Sequence, residues 1–363
     1  MTKKMTIASF FAGVGGIDIG FEETGHFKTI YANEFDPAPV ATFQANFPDV
    51  QVVCGDIHDV QPESVPDIDV IAGGFPCQAF SIAGYRKGFE DEKGRGTLFF
   101  EMLRIIQAKH PRIVFCENVK NLVAHDNGNT FRVITEALEA AGYKLKYKVL
   151  NAMEYGNIPQ NRERIYIIGF REDSDFKNFD FPEPIKLTTG LHDVIHFNEK
   201  VDERYYYTHG KFKGNMCDEL AKECTDQNAI YQWRRIYVRK NQSGVVPTLT
   251  ANMGEGGHNV PIISTPTGIR KLTPKECFNV QGFPDSFKLP DTLSDAKLYK
   301  QAGNSVCVTV IERLAEQIWK AIRVTDNEAK EESAVVTCPN CGKTFEIKPN
   351  QDIVYCPACG HKY

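Results

Sequence analysis

A glycine-rich turn between an apolar strand and a helix is the feature that most limits what this chain can fold into. The run IASFF at 7–11 predicts a first strand, and the turn AGVGG at 12–16 leads into a helix predicted over 17–23. Glycines at such a turn let the backbone approach a ligand at the N-terminus of the helix. We therefore predict an α/β fold with a doubly wound, mostly parallel, Rossmann-like sheet.

Acidic residues near this turn indicate which kind of cofactor it would take. The second predicted strand ends at Glu34, 21 positions beyond Gly13, about where ribose hydroxyls are held in this type of fold. The third is followed by Asp56, whose carboxylate could accept from an adenine amino group. Asp18 stands at the place of the third glycine of a dinucleotide fingerprint, and acids so close to the turn would repel a pyrophosphate. The pattern favours an adenosyl cofactor without phosphates, such as S-adenosylmethionine.

A candidate nucleophile and a candidate proton donor follow two further strands. The run 68–72 precedes GGFPCQ, which contains Cys77, and the run 113–116 precedes Glu117. Parallel strands end at the same edge of a sheet, so both loops would converge on one crevice. A lone cysteine is more often a small buried hydrophobe, and a lone strand-end carboxylate more often pairs with an arginine. Together they indicate covalent chemistry on an aromatic base.

These residues resemble the cytosine-C5 DNA methyltransferase family, in family order from about residue 6 to residue 322. Six segments carry the resemblance: the glycine motif at 11–16, GGFPCQ at 73–78, ENV at 117–119, QNRER at 160–164, the stretch 270–284 and GNSV at 303–306. The segments 87–91 and 95–99 resemble the mobile loop that closes on DNA in small bacterial modification enzymes, with 92–94 as a short insert between them. The resemblance implies an S-adenosylmethionine-dependent methyltransferase fold, a smaller target-recognition domain and double-stranded DNA as partner.

The resemblance also implies roles for individual residues. The catalytic residues are Cys77 as the thiolate nucleophile, Glu117 as the acid acting on the cytosine ring, and Arg162 with Arg164, of which Arg164 contacts the base carbonyl. The residues implied around the cofactor are Phe11, Gly13, Gly15, Gly16, Glu34, Asp56, Ile57 and Asn304. Those expected to contact DNA are Gln78, Ser81, Arg95, Arg234, Arg235 and Thr248. One departure is Ser9, which stands where many members carry an acid.

The chemistry supports these roles without the family. Cytosine C5 is a poor nucleophile and becomes enamine-like only when a nucleophile adds at C6, for which a thiolate is suited because it is reactive and leaves readily. The addition moves electron density to N3 and O2, where a neutral carboxylic acid and a guanidinium would hold it. Glu117 then needs a raised pKa, and the base must be flipped out of the duplex.

Composition changes along the chain predict its domains. We expect a catalytic and cofactor-binding domain at 1–171, a target-recognition domain at 172–268, a return to the first domain at 269–324 and a linker at 325–336. The return includes an amphipathic helix predicted over 311–323 that would pack on the sheet. The basic run 234–240 has four cations and no acid, and suits either contacts in a DNA groove or a solvated surface strand.

Two CxxC pairs separated by fourteen residues predict a zinc-ribbon-like module at 337–363, with Cys338, Cys341, Cys356 and Cys359 as ligands. Four thiolates complete a closed tetrahedral zinc site, with rubredoxin-like iron as the alternative. The module could contact nucleic acid, bind a partner or pack against the rest of the protein, and the sequence does not distinguish these roles.

The charge and cysteine content of the chain indicate which partners and which cellular compartment are compatible with it. The net charge is 42 − 47 = −5, which does not exclude a nucleic-acid enzyme because phosphate contacts depend on local charge. Eleven cysteines, of which seven lack framework spacing, suit a reducing compartment, and no signal peptide or membrane span is expected, so we predict a cytoplasmic protein.

We therefore predict a DNA (cytosine-5-)-methyltransferase, acting as a monomer on DNA and functionally paired with a restriction endonuclease. An RNA cytosine-C5 methyltransferase and an inactive DNA-binding regulator are the alternative hypotheses.

Overall fold

The computed structural model describes residues 4–76, 98–210, 215–234, 236–254, 260–331, 334–347 and 355–362. Its largest element is a seven-stranded sheet. The strands of this sheet are β1 (Met5–Phe10), β2 (Phe27–Glu34), β3 (Gln51–Cys54), β4 (Val70–Gly73), β5 (Ile113–Val119), β6 (Lys144–Asn151) and β8 (Glu163–Phe170). Their order is β3-β2-β1-β4-β5-β8-β6, and the two-residue strand β7 (Gln160–Asn161) lies outside this sheet.

The first five strands of this order are parallel, and β8 runs antiparallel between β5 and β6. The order reverses direction between β1 and β4, where Phe10 pairs with Gly73. In an open α/β sheet a crevice forms at such a reversal, outside the carboxyl ends of the strands. The loops that follow β1 and β4 therefore leave the sheet side by side.

Helices cover both faces of the sheet, and others pack elsewhere. The described α-helices are α1 (Gly16–Glu23), α2 (Pro37–Asn46), α3 (Leu98–Lys109), α4 (Asn129–Ala140), α5 (Ala152–Tyr155), α6 (Asp173–Asn178), α7 (Leu191–Val194), α8 (Met216–Glu223), α9 (Pro274–Asn279), α10 (Asp295–Asn304) and α11 (Val308–Glu331). One hydrophobic core joins α1 and α11 to the sheet, and another joins α3 and α4 to its opposite face. Strand residues alternate between these two cores, since Ile7 belongs to the first and Ala8 to the second.

Helix α11 is longer than the predicted helix at 311–323. Its apolar face, with Ile311, Leu314 and Ile318 fully buried, packs against the sheet as expected. The helix extends to Glu331, so the interval predicted as a linker begins within a helix, and Arg112 pairs with Asp326 of the added turns at 2.8 Å. Among the described residues, no helix has the length and apolar character needed to cross a membrane.

A second, antiparallel sheet lies in the part of the chain predicted to recognise DNA. Its strands are β9 (Tyr231–Arg234), β10 (Tyr237–Lys240), β12 (Ile262–Thr265) and β13 (Gly268–Lys271), in the order β10-β9-β12-β13. β11 (Val246–Pro247) instead pairs with β7, next to the large sheet. A small core around Leu220, Trp233 and Ile262 supports the antiparallel sheet. β13 crosses the predicted domain boundary at 268.

The C-terminal part of the chain contains a β-hairpin, formed by β14 (Ala334–Thr337) and β15 (Thr344–Ile347). Its turn contains the first CxxC pair. The amide of Gly342 donates to the carbonyl of Cys338 at 2.8 Å, and the amide of Gly360 makes the same bond to Cys356 in the second pair. The two knuckles thus have matching backbone geometry.

Candidate active site

An open cleft of about 1030 Å³ lies at the carboxyl ends of β1, β2, β4 and β5. This volume is at the upper end of the range for small-molecule sites, about 300–1,000 Å³, and leaves space for more than one ligand group. Ten of the predicted site residues line it: Phe11, Gly13, Gly16, Glu34, Asp56, Ile57, Glu117, Arg162, Arg164 and Asn304. The fold therefore brings together residues that are up to about 290 positions apart in the chain, from Phe11 to Asn304.

Glu34 holds the glycine turn in place. Its carboxylate accepts from the amide of Gly13 at 2.9 Å and from the amide of Asp36 at 2.9 Å. Gly13 has φ +55°, and an added Cβ would meet no atom within 4 Å, so this glycine leaves the cleft open above the turn. Gly15 does not line the cleft. An added Cβ there would lie 2.5 Å from the Phe47 ring, so its lack of a side chain serves packing on α2.

Asp18 faces away from the cleft. Its side chain is fully buried and accepts from the hydroxyls of Ser9 at 3.1 Å and Thr29 at 2.9 Å. Burial raises the pKa of Asp18 to about 7. The repulsion of a pyrophosphate expected from the sequence therefore does not apply to Asp18. Ser9 therefore donates to a buried carboxyl of helix α1, away from the cleft.

Asp56 and Phe35 form the outer part of the cleft. The carboxylate of Asp56 accepts from the amide of His58 at 3.0 Å, and this bond lowers the pKa of Asp56. The ring of Phe35 is 70% exposed although it lines the cleft, which makes it a flat apolar surface available to a planar ligand. Sequence reasoning missed Phe35, and the only signal was its position directly after Glu34.

Glu117 and Arg164 form the charged floor of the cleft. Glu117 is 9% exposed, and Nε of Arg164 lies 3.1 Å from its Oε1. Burial raises the pKa of Glu117, while the charges of Arg164 and Arg162 act in the opposite direction and are outweighed. An added Cβ on Gly74 would lie 3.4 Å from Oε2, so the chain before Cys77 passes directly beside the carboxyl. The arrangement favours a proton-donating acid next to a fixed cation.

Asn118 holds the segment that leads to the predicted nucleophile. Its Nδ2 donates to the carbonyl of Phe75 at 2.7 Å, and its Oδ1 accepts from the amide of Val119 at 2.8 Å. Phe75 is 2% exposed, so the chain is anchored two residues before Cys77. The motif ENV at 117–119 contains Asn118, but the sequence alone gave no sign of this anchoring role.

Cys77 itself lies outside the described residues, together with Gln78, Ser81, Arg95 and Arg235. Two other thiols near the cleft are buried. Burial raises the pKa of Cys116 to about 12 and also raises the pKa of Cys307, so neither thiol is suited to act as a nucleophile at neutral pH.

Arg162 is 2% exposed, and its guanidinium is occupied by the protein's own backbone. It donates to the carbonyls of Leu249 at 2.9 Å and Gly303 at 3.2 Å, and also to the carbonyl of Ser305. Thr248 is exposed, and its hydroxyl donates to the carbonyl of Asn161 at 2.6 Å. Arg234 is exposed at the end of β9, on the hairpin that contains most of the basic run.

The four C-terminal cysteines cluster as predicted, with their sulfur atoms all within 4.8 Å of one another. The sulfur atoms of Cys338 and Cys359 are 3.6 Å apart, as are those of Cys341 and Cys356. A tetrahedron with metal–sulfur bonds of about 2.3 Å has edges of about 3.8 Å, so the four thiols fit one metal ion.

The strand order, the doubly wound helices and the cleft at the β1/β4 reversal define the class of the protein as an α/β methyltransferase fold. Solved methyltransferases share this fold. A DNMT2 variant from Spodoptera frugiperda superimposes with a TM-score of 0.67 at 19% identity, over 87% of this chain and 100% of that one. The methyltransferase EhMeth of Entamoeba histolytica gives 0.66 at 18% identity, over 88% and 99%.

The chain belongs to the C-5 cytosine-specific DNA methylase family, whose model matches residues 5–320. It is 59% identical to the Type II methyltransferase M.Bsp6I of Bacillus sp. strain RFL6, over 88% of this chain and 99% of the relative. It is 40% identical to the Type II methyltransferase M.HhaI of Haemophilus parahaemolyticus, over 86% and 93%. The predicted family and activity are thereby confirmed, and the family implies S-adenosylmethionine as methyl donor and duplex DNA as substrate. The cysteine module lies beyond the family match.

Proposed function

We propose that this enzyme methylates C5 of a cytosine flipped out of a specific duplex DNA sequence, with Cys77 as nucleophile, as the modification enzyme of a restriction–modification system. The observation that carries the mechanism is the buried Glu117 carboxyl, which lies beside Arg164 and beside the backbone that leads to Cys77. The family and its Type II relatives favour DNA over RNA as the substrate.

The chemical steps use this chain's own groups. The thiolate of Cys77 adds to C6 of the ring, and Glu117 gives its proton to N3, where the negative charge would otherwise develop. Arg164 neutralises the charge at O2. C5 then takes the methyl group, and a base removes the C5 proton. The bond between sulfur and C6 breaks to return the thiolate, and N3 gives its proton back to Glu117. The raised pKa of Glu117 supports this route because the carboxyl must hold its proton until the addition.

S-adenosylmethionine supplies an electrophilic methyl group when it is bound. The residues suited to hold it are Glu34 for the ribose, Asp56 for the adenine amino group and Phe35 for the face of the adenine ring. The turn at Gly13 and the exposed Asn304 would line the methionine end. The cleft fits such a cofactor because its open glycine turn and exposed aromatic ring leave a continuous space.

We propose that the cysteine cluster binds one zinc ion with a structural role. A closed set of four thiolates leaves no position for a water or substrate ligand. We also propose that the β9–β10 hairpin, with Arg234, contacts DNA and that the enzyme acts as a monomer. The alternative hypotheses are an RNA cytosine-C5 methyltransferase and an inactive DNA-binding regulator, and the experiments below distinguish them from the proposed function.

Replacement of Cys77 by serine tests the nucleophile. Cys77→Ser should abolish methyl transfer to DNA and leave binding of S-adenosylhomocysteine unchanged, because the hydroxyl is far less ionised than a thiol. Duplex DNA with 5-fluorocytosine at the target should trap an adduct at Cys77 in the wild type, since fluorine at C5 cannot be removed as a proton. Unchanged turnover of the variant, or an adduct on another residue, would refute the assignment. Parallel assays on transfer RNA distinguish the RNA alternative.

A further inference from the structure

Arg162 lies where three segments of the chain meet. Its own backbone is fixed between β7 and β8, because its amide donates to Oδ1 of Asn151 at 3.2 Å and its carbonyl accepts from Ala152 at 2.9 Å. The guanidinium extends from this fixed base. One arm reaches Leu249, in the segment that follows β11, and the other reaches Gly303 and Ser305.

The residues that accept these hydrogen bonds are next in sequence to residues proposed to contact DNA or the cofactor. Leu249 follows Thr248, which the sequence assigns to DNA contact. Gly303 and Ser305 flank Asn304, which lines the cofactor cleft. One guanidinium therefore spans the recognition segment and the cofactor loop.

Further contacts hold the same segments together. Oε1 of Gln160 accepts from the amide of Leu249 at 3.2 Å, and its Nε2 donates to Oε1 of Gln281 at 3.1 Å. Gln281 in turn donates to the carbonyl of Ala302 at 2.7 Å. Gln160 and Gln281 are fully buried, so this chain of side chains is shielded from water. A polar group in such a buried network cannot move alone without losing a partner.

The backbones of the two segments are also in direct contact. A Cβ added to Gly303 would lie 2.1 Å from the carbonyl oxygen of Thr250, which leaves no room for a side chain. Residues 248–250 therefore cannot move toward residues 302–305 unless those residues move as well. Arg162 also lies close in the chain to the proposed catalytic acid, because Arg164, two positions later, pairs with Glu117.

We infer that Arg162 is a positioning residue that couples DNA contact at the recognition segment to cofactor binding in the cleft. The inference rests on the proposed function. It predicts that DNA and the cofactor raise each other's affinity, by the same factor in both directions because linkage is reciprocal, and that the planar fork of arginine carries the coupling. A lysine keeps the charge but acts as a compact point charge on a flexible stem and cannot reproduce the planar fork that spans these carbonyls.

The experiment measures the dissociation constant of S-adenosylhomocysteine with and without a saturating short duplex that contains the methylation site, mapped beforehand by bisulfite sequencing. In the wild type the duplex should tighten binding about fivefold or more. In Arg162→Lys the factor should fall below about twofold, where the factor is the ratio of that variant's own dissociation constants without and with DNA. Arg313→Lys is the matched control, because Arg313 donates to the carbonyls of Tyr155 at 2.8 Å and Glu183 at 2.9 Å, away from the cleft.

The inference is overturned if Arg162→Lys keeps the wild-type factor, if Arg313→Lys loses it to the same extent, or if the wild type has no coupling. Should Arg162→Lys fail to fold, Thr248→Val decides. Thr248 is exposed, and this variant loses the proposed DNA contact together with the bond to the carbonyl of Asn161. Unchanged coupling in that variant at saturating DNA also overturns the inference. Absence of any cytosine methylation of DNA by the wild type would instead refute the proposed function.

Discussion

The buried acid Asp18 gives a quantitative prediction for the stability of the fold. Its pKa rises from 3.8 to about 7 on folding, because burial penalises the charged carboxylate. The folded state therefore binds the proton more tightly than the unfolded state. The stabilisation is fully present below the unfolded pKa near 3.8 and is lost as the pH rises through the folded pKa near 7.

The magnitude follows from the shift. Each tenfold change in proton affinity corresponds to about 1.4 kcal/mol, so the loss is about 2 kcal/mol at pH 5 and about 4 kcal/mol at pH 8. An asparagine is neutral at both values and can still hydrogen-bond to Ser9 and Thr29. Relative to the wild type, Asp18→Asn should therefore gain about 2 kcal/mol between pH 5 and pH 8, whatever constant offset its altered hydrogen bonds add.

Urea unfolding followed by far-ultraviolet circular dichroism at the two pH values measures this difference. Asp69→Asn is a suitable control, because Asp69 also accepts from a threonine, through the amide and hydroxyl of Thr6, but is only half-buried. A stability difference between Asp18→Asn and the wild type that is the same at both pH values would refute the argument that burial keeps Asp18 protonated.

Four further outcomes are expected. Glu117→Gln should lower kcat by about 10²- to 10⁴-fold with little effect on S-adenosylhomocysteine binding, because the amide cannot deliver a proton, and near-wild-type turnover would contradict its role. Burial raises the pKa of Glu117, so its carboxyl keeps the proton at a higher pH than an ordinary glutamic acid does. A profile of rate against pH should show activity falling as the pH rises through this raised pKa. Metal analysis should find one zinc ion per chain and none in Cys341→Ser, and full zinc content in that variant would exclude the four-cysteine site. Removal of residues 333–363 should leave measurable methylation, since the family match ends at 320; complete loss would make the module part of the catalytic scaffold.

Much of the fold and site could be predicted because local patterns determine them. The glycine turn after β1, the apolar runs of β4 and β5 and the spacing of the two CxxC pairs each depend on residues close together in the chain. The rule that parallel strands end at one edge then brought Glu34, Asp56 and Glu117 to one cleft without any knowledge of side-chain contacts. The resemblance of these segments to a family identified the reaction as methyl transfer to C5 of cytosine.

The direction in which a side chain points was decided only by the tertiary structure. Asp18 is next to the glycine turn in sequence, yet it is buried against Ser9 and Thr29 and does not face the cleft. Arg162 belongs to a catalytic motif by sequence, yet its hydrogen bonds join segments about 90 and 140 positions away. Whether a polar group faces a ligand or the protein's own backbone depends on long-range packing, which no local pattern of residues records.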